Sequence, residues 1–125
     1  ALLGAWQGEF HCQWDTIGFT LNIAESESRE VEAVDAVFSF FSRPDGPAIP
    51  AGSFEMSGDY DPEDGTIVLK SKAWIKRPLG IQRHNLSGRA EIGGTAISGR
   101  IESPGCTEFY LARNGRRGLP TAQSQ

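Results

Sequence analysis

Only two cysteines and two histidines occur among the 125 residues. Two thiols make at most one disulfide and cannot supply a zinc site alone. No apolar run approaches the roughly 18 residues that a membrane-spanning helix needs, so no membrane span is expected. Positive charge is in deficit: 12 Lys and Arg against 16 Asp and Glu leave a net charge of −4. Phosphate binding needs clustered Lys and Arg, so this balance argues against nucleic acid as the main partner. Helical periodicity is absent over any useful length. No glycine-rich phosphate loop leads into a helix, and no Ser–His–Asp or Cys–His arrangement is visible. No cofactor, no metal and no enzymatic activity are therefore expected.

What the chain does have is glycine (15), proline (7) and alternation. That composition suits short strands joined by tight turns. Trp6, Gly8, Phe10, Cys12 and Trp14 fall on one face, with Gln7, Glu9, His11 and Gln13 on the other. This period of two marks a half-buried strand. Phe19, Leu21 and Ile23 repeat it, with Thr20 and Asn22 outside. Glu25 to Glu30 reads as a polar turn. A third strand covers Val31 to Phe41, with a phase slip near Asp35 that a bulge would explain. Residues Arg43 to Gly52 form the longest loop, kept out of any ladder by three prolines. Two similar hairpins follow. One has Ser57-Gly58 leaving a strand and Gly65-Thr66 entering the next; the other has Ser87-Gly88, a Gly93-Gly94 turn and Thr95. The last strand is Thr107 to Arg113, and the polar tail 114–125 is expected to be flexible. This gives one all-β domain over 1–113, of about eight strands of roughly 5 to 8 residues each.

The cysteines favour a closed antiparallel barrel over a sandwich. Cys12 lies on the first strand and Cys106 just before the last, and a disulfide needs Cα atoms within roughly 7 Å. Pairing them sets the first and last strands side by side. Cys106 is out of phase with Phe109 and Leu111, which asks for a bulge at Pro104-Gly105. The alternative is two free, buried thiols. A loop this long would contribute on the order of 4 kcal/mol.

Gly4-Ala5-Trp6 on the first strand and Arg113 on the last resemble the calycin pattern of lipocalins, fatty-acid-binding proteins and avidins. That resemblance implies a tryptophan at one barrel end stacked on an arginine from the final strand. A broader likeness rests on Trp6-Gln7-Gly8-Glu9-Phe10-His11-Cys12, Gly52-Ser53-Phe54, Gly58-Asp59-Tyr60-Asp61, Trp74-Ile75-Lys76-Arg77-Pro78 and Gly105-Cys106-Thr107-Glu108-Phe109. These segments resemble a small domain found alone or attached to bacterial caspase-like and other exported proteins. It implies export and no particular activity. The longer third strand, Val31 to Val37, departs from it.

Several residue groups qualify as sites. Asp59 to Gly65 gathers four acids and a glycine, which suits calcium or a plain solvated turn. Trp74, Lys76 and Arg77 set an indole beside two cations and rigid Pro78. Parity places Trp74 with Lys70 and Lys72 on the solvent side, whereas a phase change after Ser71 would turn it into the core or over a barrel end. Arg43 starts the neighbouring loop. His84 has the inward parity of Leu86. Glu9 and Glu108 have outward parity, where a solvated face is expected and not an acid–base pair. Asn85-Leu86-Ser87 is an N-glycosylation acceptor.

Nine inward aromatics, from Trp6 to Phe109, would fill a barrel of this size, which moves any binding to a rim or outer face. The expected role is a secreted or periplasmic, non-catalytic binding module for a glycan or another protein, with Trp74, Lys76, Arg77 and Arg43 as ligand contacts. The alternative is an inhibitor or regulatory partner of a secreted enzyme, acting through the proline-stiffened 43–52 loop. The chain begins at Ala1, which fits a removed signal peptide or a trimmed start.

Overall fold

The structure is a computed structural model that describes residues 2–13, 15–26, 32–45, 48–91 and 93–113. Trp14, most of the Glu25–Glu30 turn, Val31, the Gly46-Pro47 tip and the 114–125 tail lie outside these described residues. Among the described residues every regular element is a strand: β1 (Gly4–Cys12), β2 (Asp15–Glu25), β3 (Ala33–Phe41), β4 (Gly52–Tyr60), β5 (Thr66–Lys76), β6 (Asn85–Ala90), β7 (Ala96–Glu102) and β8 (Cys106–Arg113). Each strand pairs antiparallel with the next, and β8 pairs with β1, so the sheet closes into a barrel. Strand lengths run from 6 to 11 residues, longer than expected.

Alternation decides the core. Phe19, Leu21 and Ile23 of β2, Val34, Ala36, Phe38 and Phe40 of β3, and Phe54 and Met56 of β4 are all buried. Phe38 stacks on Phe19 at 4.5 Å and on Phe54 at 4.7 Å between centroids. Phe10 meets Phe19 and Phe38 edge-on at 5.4 and 5.7 Å. Burying each ring contributes roughly 1.5–3 kcal/mol, and the offset and edge geometries add somewhat more. Several inward positions hold no side chain, among them Gly8, Gly58, Gly88 and Gly99. A Cβ on Gly8 would collide with the Tyr110 carbonyl oxygen, and one on Gly58 with that of Val68. These glycines let neighbouring strands coil tightly enough to close the wall. Ser57-Gly58 and Ser87-Gly88 therefore lie within β4 and β6 and do not leave them.

Of two expected bulges, one is absent and the other displaced. β3 runs in unbroken register against β2 and β4, with no bulge at Asp35. What reads as a phase slip is the strand's start, where Glu32 takes φ 74° just before Ala33. The Cys12–Cys106 disulfide is present, but the bulge that accommodates it is not at Pro104-Gly105. Phe10 faces Phe109 and Cys12 faces Cys106, so the extra residue lies inside β8, between Cys106 and Phe109.

One end of the barrel is closed by the first and last strands. Trp6 is fully buried and its indole N–H donates to the Leu2 carbonyl at 3.0 Å. The Arg113 guanidinium lies over the indole at 4.2 Å and donates to the Leu3 carbonyl at 2.7 Å. Arg113→Ala is expected to cost about 2 kcal/mol through lost stacking and stem packing, read as a lower midpoint of chemical unfolding. The disulfide joins residues 94 apart, so reducing it, or replacing both cysteines by serine, should lower stability by about 4 kcal/mol. An unfolding midpoint unchanged by reductant would contradict this.

Candidate functional site

The opposite end carries the expected site residues, and β5 shapes it. Met56 faces Ser71, Phe54 faces Trp74 and Ser53 faces Lys76. β5 thus holds one extra residue between Ser71 and Trp74, and another between Trp74 and Lys76. The first bulge reverses the phase. Trp74 does not share the solvent side with Lys70 and Lys72; it turns into the mouth of the barrel, edge-on to Phe54 at 5.5 Å and to Phe40 at 6.3 Å. Bulges also bend a strand and end its pairing. β5 keeps its ladder with β4 out to Lys76 but pairs with β6 only from Thr66 to Leu69. Just past that point the Ser71 N–H is met by the side-chain oxygen of Asn85 at 2.8 Å. Asn85, the expected glycosylation acceptor, is therefore half-buried and engaged against β5.

The chain from Arg77 to His84 then crosses the mouth. A Cβ on Gly52 would stand 2.7 Å from both Phe40 Cζ and Pro78 Cδ, which places Pro78 against β4. Ile81 packs on the core. The His84 ring lies 5.5 Å from Phe10 and 6.1 Å from Phe38. Its Nδ1 is buried and has no hydrogen-bond partner among the described residues. Burial without a partner disfavours the imidazolium and holds its pKa below the ordinary 6.5. His84 is thus inward, as its parity implied. This segment and Trp74 stopper the second end as Trp6 and Arg113 close the first.

Outside the stopper the surface is cationic and partly apolar. Arg77 lies over Trp74 at 6.0 Å. Ile75 is 55% and Leu79 98% exposed. Lys70, Lys72, Lys76, Arg77 and Arg83 are all exposed, and none makes an ion pair among the described residues. On the β4 side, Lys72 shares a cleft of about 240 Å³ with Glu55 and Asp35. Sequence reasoning missed this grouping, although its signal is plain. Thr66 to Ala90 carries six of the chain's 12 Lys and Arg and none of its 16 Asp and Glu. The net charge of −4 conceals it.

Arg43 is not part of that surface. It is ion-paired with Glu9 of β1 and, at 3.2 Å, with Asp45. The 43–52 loop has its own clasp: Ser42 Oγ donates to the Ile49 carbonyl at 2.9 Å and accepts the Ile49 N–H at 2.7 Å. Glu108 faces Arg100 across β7 and β8, apart from the Glu9 pair. In the acidic turn, Asp61 accepts the Glu63 N–H and Asp64 the Thr66 N–H, both at 2.9 Å. Bonding to Thr66 lowers the Asp64 pKa. These side chains complete the hairpin locally, and no cluster able to hold a metal occurs among the described residues. No helix long and apolar enough to cross a membrane occurs among them either.

Compared with protein-family models, with curated proteins and with solved structures, the chain matches none.

His84 makes acid sensitivity testable. As pH falls below about 6.5, the unfolded chain takes up a proton that the folded form resists. Stability then declines by up to about 1.4 kcal/mol per pH unit until the folded group itself titrates. Urea unfolding between about pH 7 and pH 5 should show this decline in the native protein and a shallower one in His84→Leu. Parallel pH profiles for the two would refute the assignment.

Proposed function

We propose that this domain is an exported, non-catalytic binding module that holds a glycan or a protein on its outer surface, at the corner formed by Trp74, Lys76 and Arg77. The observation that carries the reading is the run of exposed cations on β5 and the segment after it, unpaired among the described residues and interspersed with exposed Ile75 and Leu79, on a chain whose net charge is negative. The barrel interior supports the same direction. Its middle is packed with stacked phenylalanines, and a cleft of about 920 Å³ at the Trp6 end, beside Leu2, Tyr60 and Gly94, lies outside that packing. Interfaces favour arginine and aromatic groups beside apolar area. The disulfide fits an oxidising compartment, which agrees with export. The closed eight-stranded meander with Arg113 over Trp6 also agrees with the calycin resemblance.

Trp74 works here as the floor of the corner. Replacing it by alanine removes packing on Phe40 and Phe54, so the surface is better tested at Lys76 and Arg77. Glycan arrays and affinity capture from the native source should yield a ligand whose affinity falls at least about tenfold in Lys76→Ala/Arg77→Ala, with the unfolding midpoint unchanged. A ligand that binds the double variant as well as the native protein would overturn the assignment.

A second reading has one observation in its favour. The Ser42–Ile49 clasp and the Glu9–Arg43–Asp45 ion pairs fix the base of the 43–52 loop. A loop ordered in advance costs little to insert into an enzyme cleft, as an inhibitor of a secreted enzyme requires. Ser42→Ala would then weaken inhibition while leaving the Trp74 corner's ligand unaffected.

A further inference from the structure

We infer that the side of β5 facing away from β4, from Lys72 to Lys76, receives an extended acidic peptide as an added strand. This rests on the reading that the Trp74–Arg77 corner binds an external ligand, and it names that ligand's class. Three observations carry it.

The first is the broken ladder. β5 continues to Lys76, but its pairing with β6 stops at Leu69 and Leu86. Asn85 satisfies the Ser71 N–H. The following chain does not take over the edge, because Pro78 lies against Gly52, Ile81 enters the core and His84 meets Phe10 and Phe38. Backbone groups on that side are left to whatever comes from outside, and an unpaired edge is a template for a further strand.

The second is charge. Lys70, Lys72 and Lys76 stand on β5 itself and Arg77 and Arg83 on the segment that follows it, all exposed, and Lys72 also lines the cleft that holds Glu55 and Asp35. Lysines and bulges on an edge deter pairing with a second copy of the same chain. The same cations favour a strand of opposite sign, so the partner is an acidic segment and not this domain itself.

The third is the apolar element. Ile75, within the edge, and Leu79, on the segment that follows it, are exposed at 55% and 98%. A purely ionic surface has no use for them, whereas a strand alternating acidic and apolar side chains would meet both features.

The test uses the full chain labelled with nitrogen-15 and a synthetic peptide of about eight residues alternating glutamate and valine, long enough to overlay the edge. Two controls accompany it: the same peptide with N-methylated backbone amides, and polyglucuronate as an anionic glycan. The unmodified peptide should slow amide exchange within Lys72–Lys76. N-methylation should weaken binding at least about tenfold, because it removes ladder bonds and keeps the charge. Lys76→Glu/Arg83→Glu, changed only at exposed positions, should weaken binding by a similar factor.

Equal binding of both peptides, or protection elsewhere on the barrel, would overturn the added strand. Polyglucuronate shifting the Trp74–Arg77 resonances while neither peptide binds would also overturn it and leave the binding-module reading standing. If neither the peptides nor the glycan perturbs that surface, and capture from the native source finds no ligand there, both readings fall.

Discussion

Phe38 occupies the centre of the barrel, with one face on Phe19 and the other on Phe54. An eight-stranded barrel is only just wide enough to be filled by its own side chains. Three stacked rings, with Phe10 and Phe109 edge-on to Phe19, take up that width. The rest of the architecture follows from this occupancy. Glycine must stand at inward positions 8 and 58, where strands approach too closely for a Cβ. Each end needs only a stopper, an indole under an arginine at one and an indole with an imidazole at the other. The fold's irregularities are then left to the outer wall and the loops.

Much of the architecture could be read from local order. Phe19, Leu21 and Ile23 repeat at the spacing a pleated strand imposes, so their burial follows from the spacing alone. The cysteine pair added a long-range constraint that period counting lacks, and it placed β1 beside β8. Bulges behaved differently. An extra residue is defined by two strands facing each other, not by one strand's composition. Trp74 illustrates the point: its parity with Lys70 and Lys72 is correct along the chain, yet a residue added before it reverses the outcome. Glu32 shows the converse, since one positive φ before Ala33 mimicked a bulge that β3 does not contain.

The candidate surface was legible only in pieces. Trp74, Lys76 and Arg77 stand together in the sequence, and the structure keeps them at one corner. The sequence sets Arg43 near them because its loop borders the same end, but the Glu9 carboxylate draws it to β1. A net charge taken over the whole chain averages the cationic Thr66–Ala90 stretch against acidic segments elsewhere. His84 was legible as inward, but its unsatisfied nitrogen depends on which rings surround it. Histidine at that depth makes the stopper sensitive to acid.

The disulfide has a consequence beyond stability. Cys12 and Cys106 are joined across 94 residues, so nearly the whole barrel lies inside one covalent ring. A protease that severs any single loop within that ring opens the ring without releasing a fragment. The two new ends remain tethered through sulfur, and the strands stay in register to reseal around the phenylalanine column. For a domain read as working outside the cell, where peptidases are abundant and no chaperone rescues a nicked chain, one crosslink turns a lethal cut into a tolerable one.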